Sequence, residues 1–356
     1  MKSKIRVLVV DDSAVMRKLI PQMAESDPEI EVVGTAINGN FALKKIDELH
    51  PHVITLDLEM PGLNGIETLK QIMRKHGTPV IVVSSHTTDG ASITMRALGL
   101  GAFDFVAKPS DMLTMPDLEQ ELTSKIKAAA ANKGFRALPE SQLKAKKATT
   151  FSGQPASKVV AIGISTGGPN TLQYLLSQLP NDFSASMVIV QHMPPSFTHM
   201  FAQRLDDTCP LRVKEAQSGD LLLAGRILIC PGDQHIRIRR MPMGDVVSLG
   251  GEEKVNGHRP SVDVLFHSLA KDLGSRTIGV LMTGMGEDGA EGLGAIKAAG
   301  GMTIAQSEES CVVYGMPRVA VLRGYAQRVV ALEALSSVLQ SLCPSERSRT
   351  AGAGPG

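Results

Sequence analysis

Between residues 5 and 127, short continuous apolar runs alternate with segments of helical period. The runs fall at residues 5–10, 31–37, 53–56, 80–83 and 103–107, and the helical segments at 13–25, 40–49, 65–75, 91–98 and 117–127. The runs are rich in Val and Ile and do not alternate with polar residues, as expected of strands buried on both faces. Five such β–α repeats predict a parallel, doubly wound α/β sheet.

The rhythm stops between residues 124 and 157. There Lys125, Lys127, Lys133, Arg136, Lys144, Lys146 and Lys147 face a single acid, Glu140, among Ala, Ser, Thr, Gly and Pro. Such a stretch reads as a solvated, basic, flexible linker; its other reading is a nucleic-acid arm. From residue 158 the pattern resumes, with strand-like runs at 159–164, 187–191, 227–230, 277–282 and 302–306. Helices are expected at 170–179, 197–207, 262–273, 290–299 and 332–342, with a β-hairpin inserted at 235–249. A second, Rossmann-like parallel sheet follows from this order. The predicted organisation is therefore a domain over 1–123, a linker over 124–157, a second domain over 158–343 and a disordered tail over 344–356.

Composition narrows the function classes. At 356 residues the chain exceeds what one core usually holds. Apolar residues make up 43% and charged residues 21%, with 37 Lys plus Arg against 36 Asp plus Glu. A net charge of +1 gives no field that would steer the whole chain to nucleic acid or an anionic membrane. Cys209, Cys230, Cys311 and Cys343 lie too far apart for a zinc motif or a disulfide framework. The N-terminus lacks the apolar run of a signal peptide, and no stretch reaches the ~18–20 apolar residues of a membrane span. The expectation is a cytoplasmic protein without membrane insertion.

The first domain places acids at strand ends. The run at 5–10 leads into Asp11 and Asp12, the run at 53–56 into Asp57, and the run at 80–83 into Ser84. The run at 103–107 leads into Lys108-Pro109. Neighbouring strand ends of an open parallel sheet converge on one crevice. Carboxylates crowded there become tolerable around a hard cation such as Mg²⁺, while a hydroxyl and a lysine suit an anion. Asp12 alone could merely cap a helix. Together these residues, with Phe105 three positions before Lys108, resemble the receiver domain of two-component response regulators, which is flavodoxin-like. The resemblance implies that Asp57 accepts a phosphoryl group from a sensor histidine kinase. It implies Mg²⁺ held by Asp11, Asp12, Asp57 and the backbone carbonyl of Glu59, phosphoryl contacts from Ser84 and Lys108, and a switching role for Phe105.

The second domain opens with Gly163-Ile164-Ser165-Thr166-Gly167, the G-x-S-x-G pattern at a strand-to-helix turn. Small neighbours let a serine stand above the sheet edge, although Ser165 could instead cap the helix, or the glycine-rich turn could cradle a phosphate. A nucleophilic serine needs a base, and His192 ends the next strand. His258 in NGHRPSVD is a rival base. The base needs an orienting acid, and Thr283-Gly284-Met285-Gly286-Glu287-Asp288 offers both Glu287 and Asp288 after another strand. The order Ser–His–Asp is not that of α/β-hydrolases.

The stretches AIGISTGGP, IVQHMPPSFT, LICPGDQH, GHRPSVDVLF, LMTGMGEDGA and CVVYGMP make residues 158–342 similar to the catalytic domain of the bacterial chemotaxis protein-glutamate methylesterase/protein-glutamine glutaminase family. The resemblance implies Ser165 as nucleophile, His192 as general base, Asp288 as its acid and the Met285 N–H as oxyanion donor. It implies hydrolysis of glutamyl methyl esters and deamidation of glutamines on methyl-accepting chemoreceptors, with no cofactor for the ester chemistry. Phosphorylation of Asp57 would relieve inhibition by the first domain. Two other readings are an esterase of the same mechanism with another methylated protein or small ester as substrate, and a regulator with a nucleic-acid-binding output. The latter needs a compact basic effector that this β/α half does not offer.

Overall fold

A computed structural model describes residues 3–60, 64–108, 115–131 and 153–344. The chain divides into two compact units, Met1–Gln142 and Leu143–Gly356.

In the first unit the strands are β1 (Ile5–Val10), β2 (Ile30–Ala36), β3 (Val53–Asp57), β4 (Val80–Ser84) and β5 (Asp104–Ala107). They form one parallel sheet in the order β2-β1-β3-β4-β5. Residues of β3 and β4 are buried throughout, which is why these strands read as unbroken apolar runs. The helices are α1 (Met16–Ala24), α2 (Gly39–Leu49), α3 (Gly65–Lys75), α4 (Thr88–Gly99) and α5 (Met115–Ala131). Asn38, Asn64 and Thr87 cap α2, α3 and α4 with their side chains. α1 starts three residues later than its period suggests, because the Asp11 carboxylate holds the Ser13 N–H at 2.8 Å and makes a turn there. α5 runs on through Ala131, past residue 123 where the first domain was expected to end. Most of the expected linker, and the tail beyond Pro344, lie outside the described residues.

The second unit contains β6 (Val159–Ile164), β7 (Ser186–Gln191), β8 (Arg212–Glu215), β9 (Arg226–Ile229), β12 (Thr277–Leu281), β13 (Met302–Gln306) and β14 (Arg328–Val330). They pair in parallel in the order β14-β13-β12-β6-β7-β9-β8. The strand order turns around beside β6, where doubly wound sheets form their crevice. An antiparallel hairpin of β10 (His235–Met241) and β11 (Gly244–Gly250) stands apart from this sheet. The helices are α6 (Gly168–Ser177), α7 (Pro195–Thr208), α8 (Val262–Asp272), α9 (Ala290–Ala298), α10 (Met316–Leu322) and α11 (Leu332–Leu342). Val159, Val190, Leu228, Ile236, Phe266, Leu281 and Leu293, all fully buried, join sheet, hairpin and helices in one core. β8, β14 and α10 were not anticipated. The two strands are short, lie at the sheet's edges and carry charged residues, so they give no apolar run.

Candidate functional site

Ile164 ends β6, Gln191 ends β7, and the two are register partners. Ser165 and His192 therefore leave adjacent strand ends side by side. The His192 N–H donates to the Ile164 carbonyl at 3.2 Å, and the Ser165 N–H to the Thr283 carbonyl at 2.9 Å. Gln191 Nε2 donates to the Ser165 carbonyl at 3.0 Å, bracing the turn. Gly167 has φ 72°, in the left-handed region that disfavours a side chain. A Cβ on Gly168 would lie 1.9 Å from Gln191 Oε1. No side chain caps α6, so Ser165 is not its cap.

Asp288, 1% exposed, follows β12. Its Oδ2 lies 2.9 Å from His192 Nε2 and accepts the Val262 N–H at 2.7 Å. Its Oδ1 accepts from the Ser261 hydroxyl at 2.7 Å, Asn256 Nδ2 at 3.0 Å and the Asp263 N–H at 3.3 Å. These donors gather at the N-terminus of α8, whose dipole favours an anion. Burial pushes the Asp288 carboxyl up, but the hydrogen bond and charge of His192, with Ser261 and Val262, hold it well below the usual carboxylate range. An ionised Asp288 can only accept, so the proton it binds is on His192 Nε2. Nδ1 of that ring is buried and has no hydrogen-bond partner among the described residues.

The rival candidates sit elsewhere. Glu287 pairs with Arg323 at 2.7 Å rather than with an imidazole. His258 stacks on His192, with ring centroids 3.9 Å apart and planes 10° apart, so it packs against the imidazole that meets Asp288. The Met285 N–H has no hydrogen-bond partner among the described residues. Its loop is braced from Gly315 and Met316, whose N–H groups donate to the Gly284 carbonyl at 3.1 and 2.9 Å. Asn256, Ser261 and Asp263, which surround Asp288, were missed in the sequence. They lie in the stretch NGHRPSVD, read there for its histidine and for the family resemblance.

In the first unit, carboxylate oxygens of Asp11, Asp12 and Asp57 lie within 4.8 Å of one another, Asp11 and Asp57 buried and Asp12 exposed. Lys108 Nζ donates to Asp57 Oδ2 at 2.7 Å and stands 3.4 Å from Asp11 Oδ2. Burial raises the pKa of Asp11, and the Lys108 charge offsets this only in part. Burial works to lower that of Lys108, yet the hydrogen bond and charge of Asp57 and the charge of Asp11 leave it raised. Asp57 Oδ1 accepts the Glu59 N–H at 3.0 Å. The Ser84 hydroxyl donates to the Gly90 carbonyl at 3.1 Å and accepts from Thr94 at 2.6 Å. Phe105 is buried, with Lys125 Nζ 5.2 Å from its ring centroid.

The first unit thus carries an acidic strand-end pocket, and the second a buried His192–Asp288 pair one strand end from Ser165, an arrangement suited to a regulated hydrolase. Residues 160–339 match the family described as CheB methylesterase, and residues 7–119 match that of the response regulator receiver domain. The chain is 57% identical over 353 residues to protein-glutamate methylesterase/protein-glutamine glutaminase 2 of Koribacter versatilis, covering 96% of this chain and 97% of that relative. It is 45% identical over 350 residues to the protein of that activity from Symbiobacterium thermophilum, covering 94% and 96%. The solved CheB methylesterase catalytic domain of Thermotoga maritima is 42% identical and covers 52% of this chain and 98% of its own, with a TM-score of 0.51. The chain belongs to the CheB methylesterase family, with a response-regulator receiver domain preceding the family's catalytic domain. Among the described residues no helix is long and apolar enough to cross a membrane.

Proposed function

We propose that the chain hydrolyses glutamyl methyl esters, and deamidates particular glutamines, on methyl-accepting chemoreceptors in the cytoplasm, under control of a phosphoryl group on Asp57. The observation that carries the hydrolytic reading is the 2.9 Å pairing of His192 with buried Asp288, one strand end away from Ser165. Ser165 Oγ attacks the γ-carbonyl while Nδ1 of His192 takes its proton. The Met285 N–H receives the developing oxyanion. Methanol leaves with that proton, or ammonia from a glutamine, and water then hydrolyses the γ-glutamyl acyl-enzyme. The base supplies ~10²–10⁴ and the oxyanion donor ~10²–10³ in rate. No cofactor enters these steps.

In the receiver, Asp57 takes the phosphoryl group from a sensor histidine kinase. The donor set fits Mg²⁺: three carboxylates converge, and Asp11 Oδ2 is buried without a hydrogen bond among the described residues. Asp11, Asp12, Asp57 and the Glu59 carbonyl would hold the ion, which supplies charge neutralisation at the phosphoryl oxygens. Lys108 moves from Asp57 Oδ2 to that group. Ser84 turns its hydroxyl proton from the Gly90 carbonyl to a phosphoryl oxygen, and Phe105 repacks. The basic segment that follows α5 joins this domain to the catalytic domain at 158–343, with 344–356 as a tail.

Replacing Ser165 by Ala should leave the circular dichroism spectrum unchanged and remove nearly all methanol release from methylated receptor. Substantial remaining turnover would refute the nucleophile. Deleting residues 1–152 should raise basal turnover above that of the unphosphorylated full chain; an equal or lower rate would refute inhibition by the receiver.

A further inference from the structure

The β10–β11 hairpin and α8 border a groove that the proposed chemistry leaves unused. The outer edge of β10 is closed by α8. The Ile238 N–H donates to Ser268 Oγ at 3.0 Å and the Arg240 N–H to Asp272 Oδ2 at 3.1 Å, so the edge offers no strand-pairing template there. Met241, Val255 and Val264 give the groove an apolar lining, over the buried Ile238. Arg237, Arg239, Arg240 and Lys271 give it cations. Arg237 pairs with Glu252 at 2.8 Å, and Arg240 lies 3.8 Å from Asp245. Arg239 and Lys271 are exposed and have no ion pair among the described residues. The lining acids are already held by protein donors. Asp263 accepts from the Gly292 N–H and from Asn256, and Asp272 from the Arg240 N–H. Met241 and Met243, 46% and 73% exposed near the hairpin tip, add adaptable apolar surface.

The groove reaches the catalytic acid through one side chain. Asn256 Nδ2 donates to Asp263 Oδ2 at 2.7 Å and to Asp288 Oδ1 at 3.0 Å. We propose that the groove docks an amphipathic, acidic segment of the protein substrate, with its apolar stripe on Met241, Val255 and Val264 and its carboxylates over Arg239 and Lys271. This inference rests on the methylesterase reading. It follows from charge complementarity: free cations border an apolar lining, and each ester hydrolysed leaves a new carboxylate on the substrate. A substrate with several ester sites thus binds better as its esters are removed, which favours successive hydrolysis on one segment.

The test uses the full chain and two synthetic helical peptides, each with one glutamyl methyl ester and an apolar stripe, flanked either by four glutamates or by four serines. Methanol release from the glutamate peptide should show a KM about tenfold lower than from the serine peptide. The double variant Arg239→Glu/Lys271→Glu should erase that difference while leaving kcat on the serine peptide unchanged. Equal KM values for the two peptides, or a difference that survives in the double variant, would overturn the groove assignment. Wild-type binding to single-stranded DNA that is lost in the double variant would overturn it in favour of a nucleic-acid occupant. Failure of every form to release methanol from either peptide would instead remove the methylesterase reading itself.

Discussion

Asp288 shows how two adjacent acids acquire different roles. Glu287 lies in an exposed ion pair with Arg323, while Asp288 is buried among donors at the start of α8. Nothing in GMGEDG separates them, because the donors come from Asn256, Ser261 and Val262, in a different stretch of chain. The serine and the histidine were legible, since each follows a buried strand directly. Ser84 was legible as a strand-end hydroxyl, but not its engagement with Thr94, which depends on where α4 packs. Asp288→Asn should keep the fold and lower kcat by about 10⁴, because an amide donating to Nε2 forces the proton onto Nδ1 and removes the base. Steady-state hydrolysis checks this; a fall of less than tenfold would argue against Asp288 as the orienting acid.

Among elements, the turn after β6 carries the tightest demand. Gly167 has a positive φ, and Gly168 lies against Gln191, which in turn holds the Ser165 carbonyl. Gly168→Ala must push Gln191 aside, so Ser165 shifts relative to His192. The expected loss is about 10²-fold in kcat, the scale of a displacement near 1 Å. Thermal unfolding should show a cost of about 1–3 kcal/mol from overpacking. Wild-type kinetics in this variant would show that the bracing does not position the serine. The G-x-S-x-G pattern announced the turn, but the glutamine that requires Gly168, one residue past the pattern, to be bare became visible only once β6 and β7 were paired. Central strands were legible for the same reason that edges were not. β6 and β7 are buried at every residue, whereas β14 is exposed and charged.

At the scale of the whole chain, two α/β units were legible from two β–α rhythms and the basic stretch separating them. Their limits were less so: Ala128–Ala131, strong helix formers, extend α5 into the stretch read as linker from its lysines. In the seven-stranded sheet the strands that lead to the proposed nucleophile, base and acid are neighbours, β12, β6 and β7, and β8 and β14 lie outermost. Amide hydrogen exchange should therefore divide the sheet. Strands of four and three residues at the margins should exchange by local fraying, and the three central ones only when the unit opens as a whole. Peptide-resolved mass spectrometry would show it, and equal protection across the sheet would contradict it. A protein arranged this way can lose order at its borders, under mild heat or denaturant, while the hydroxyl and imidazole keep their spacing, so catalysis should outlast the first structural losses.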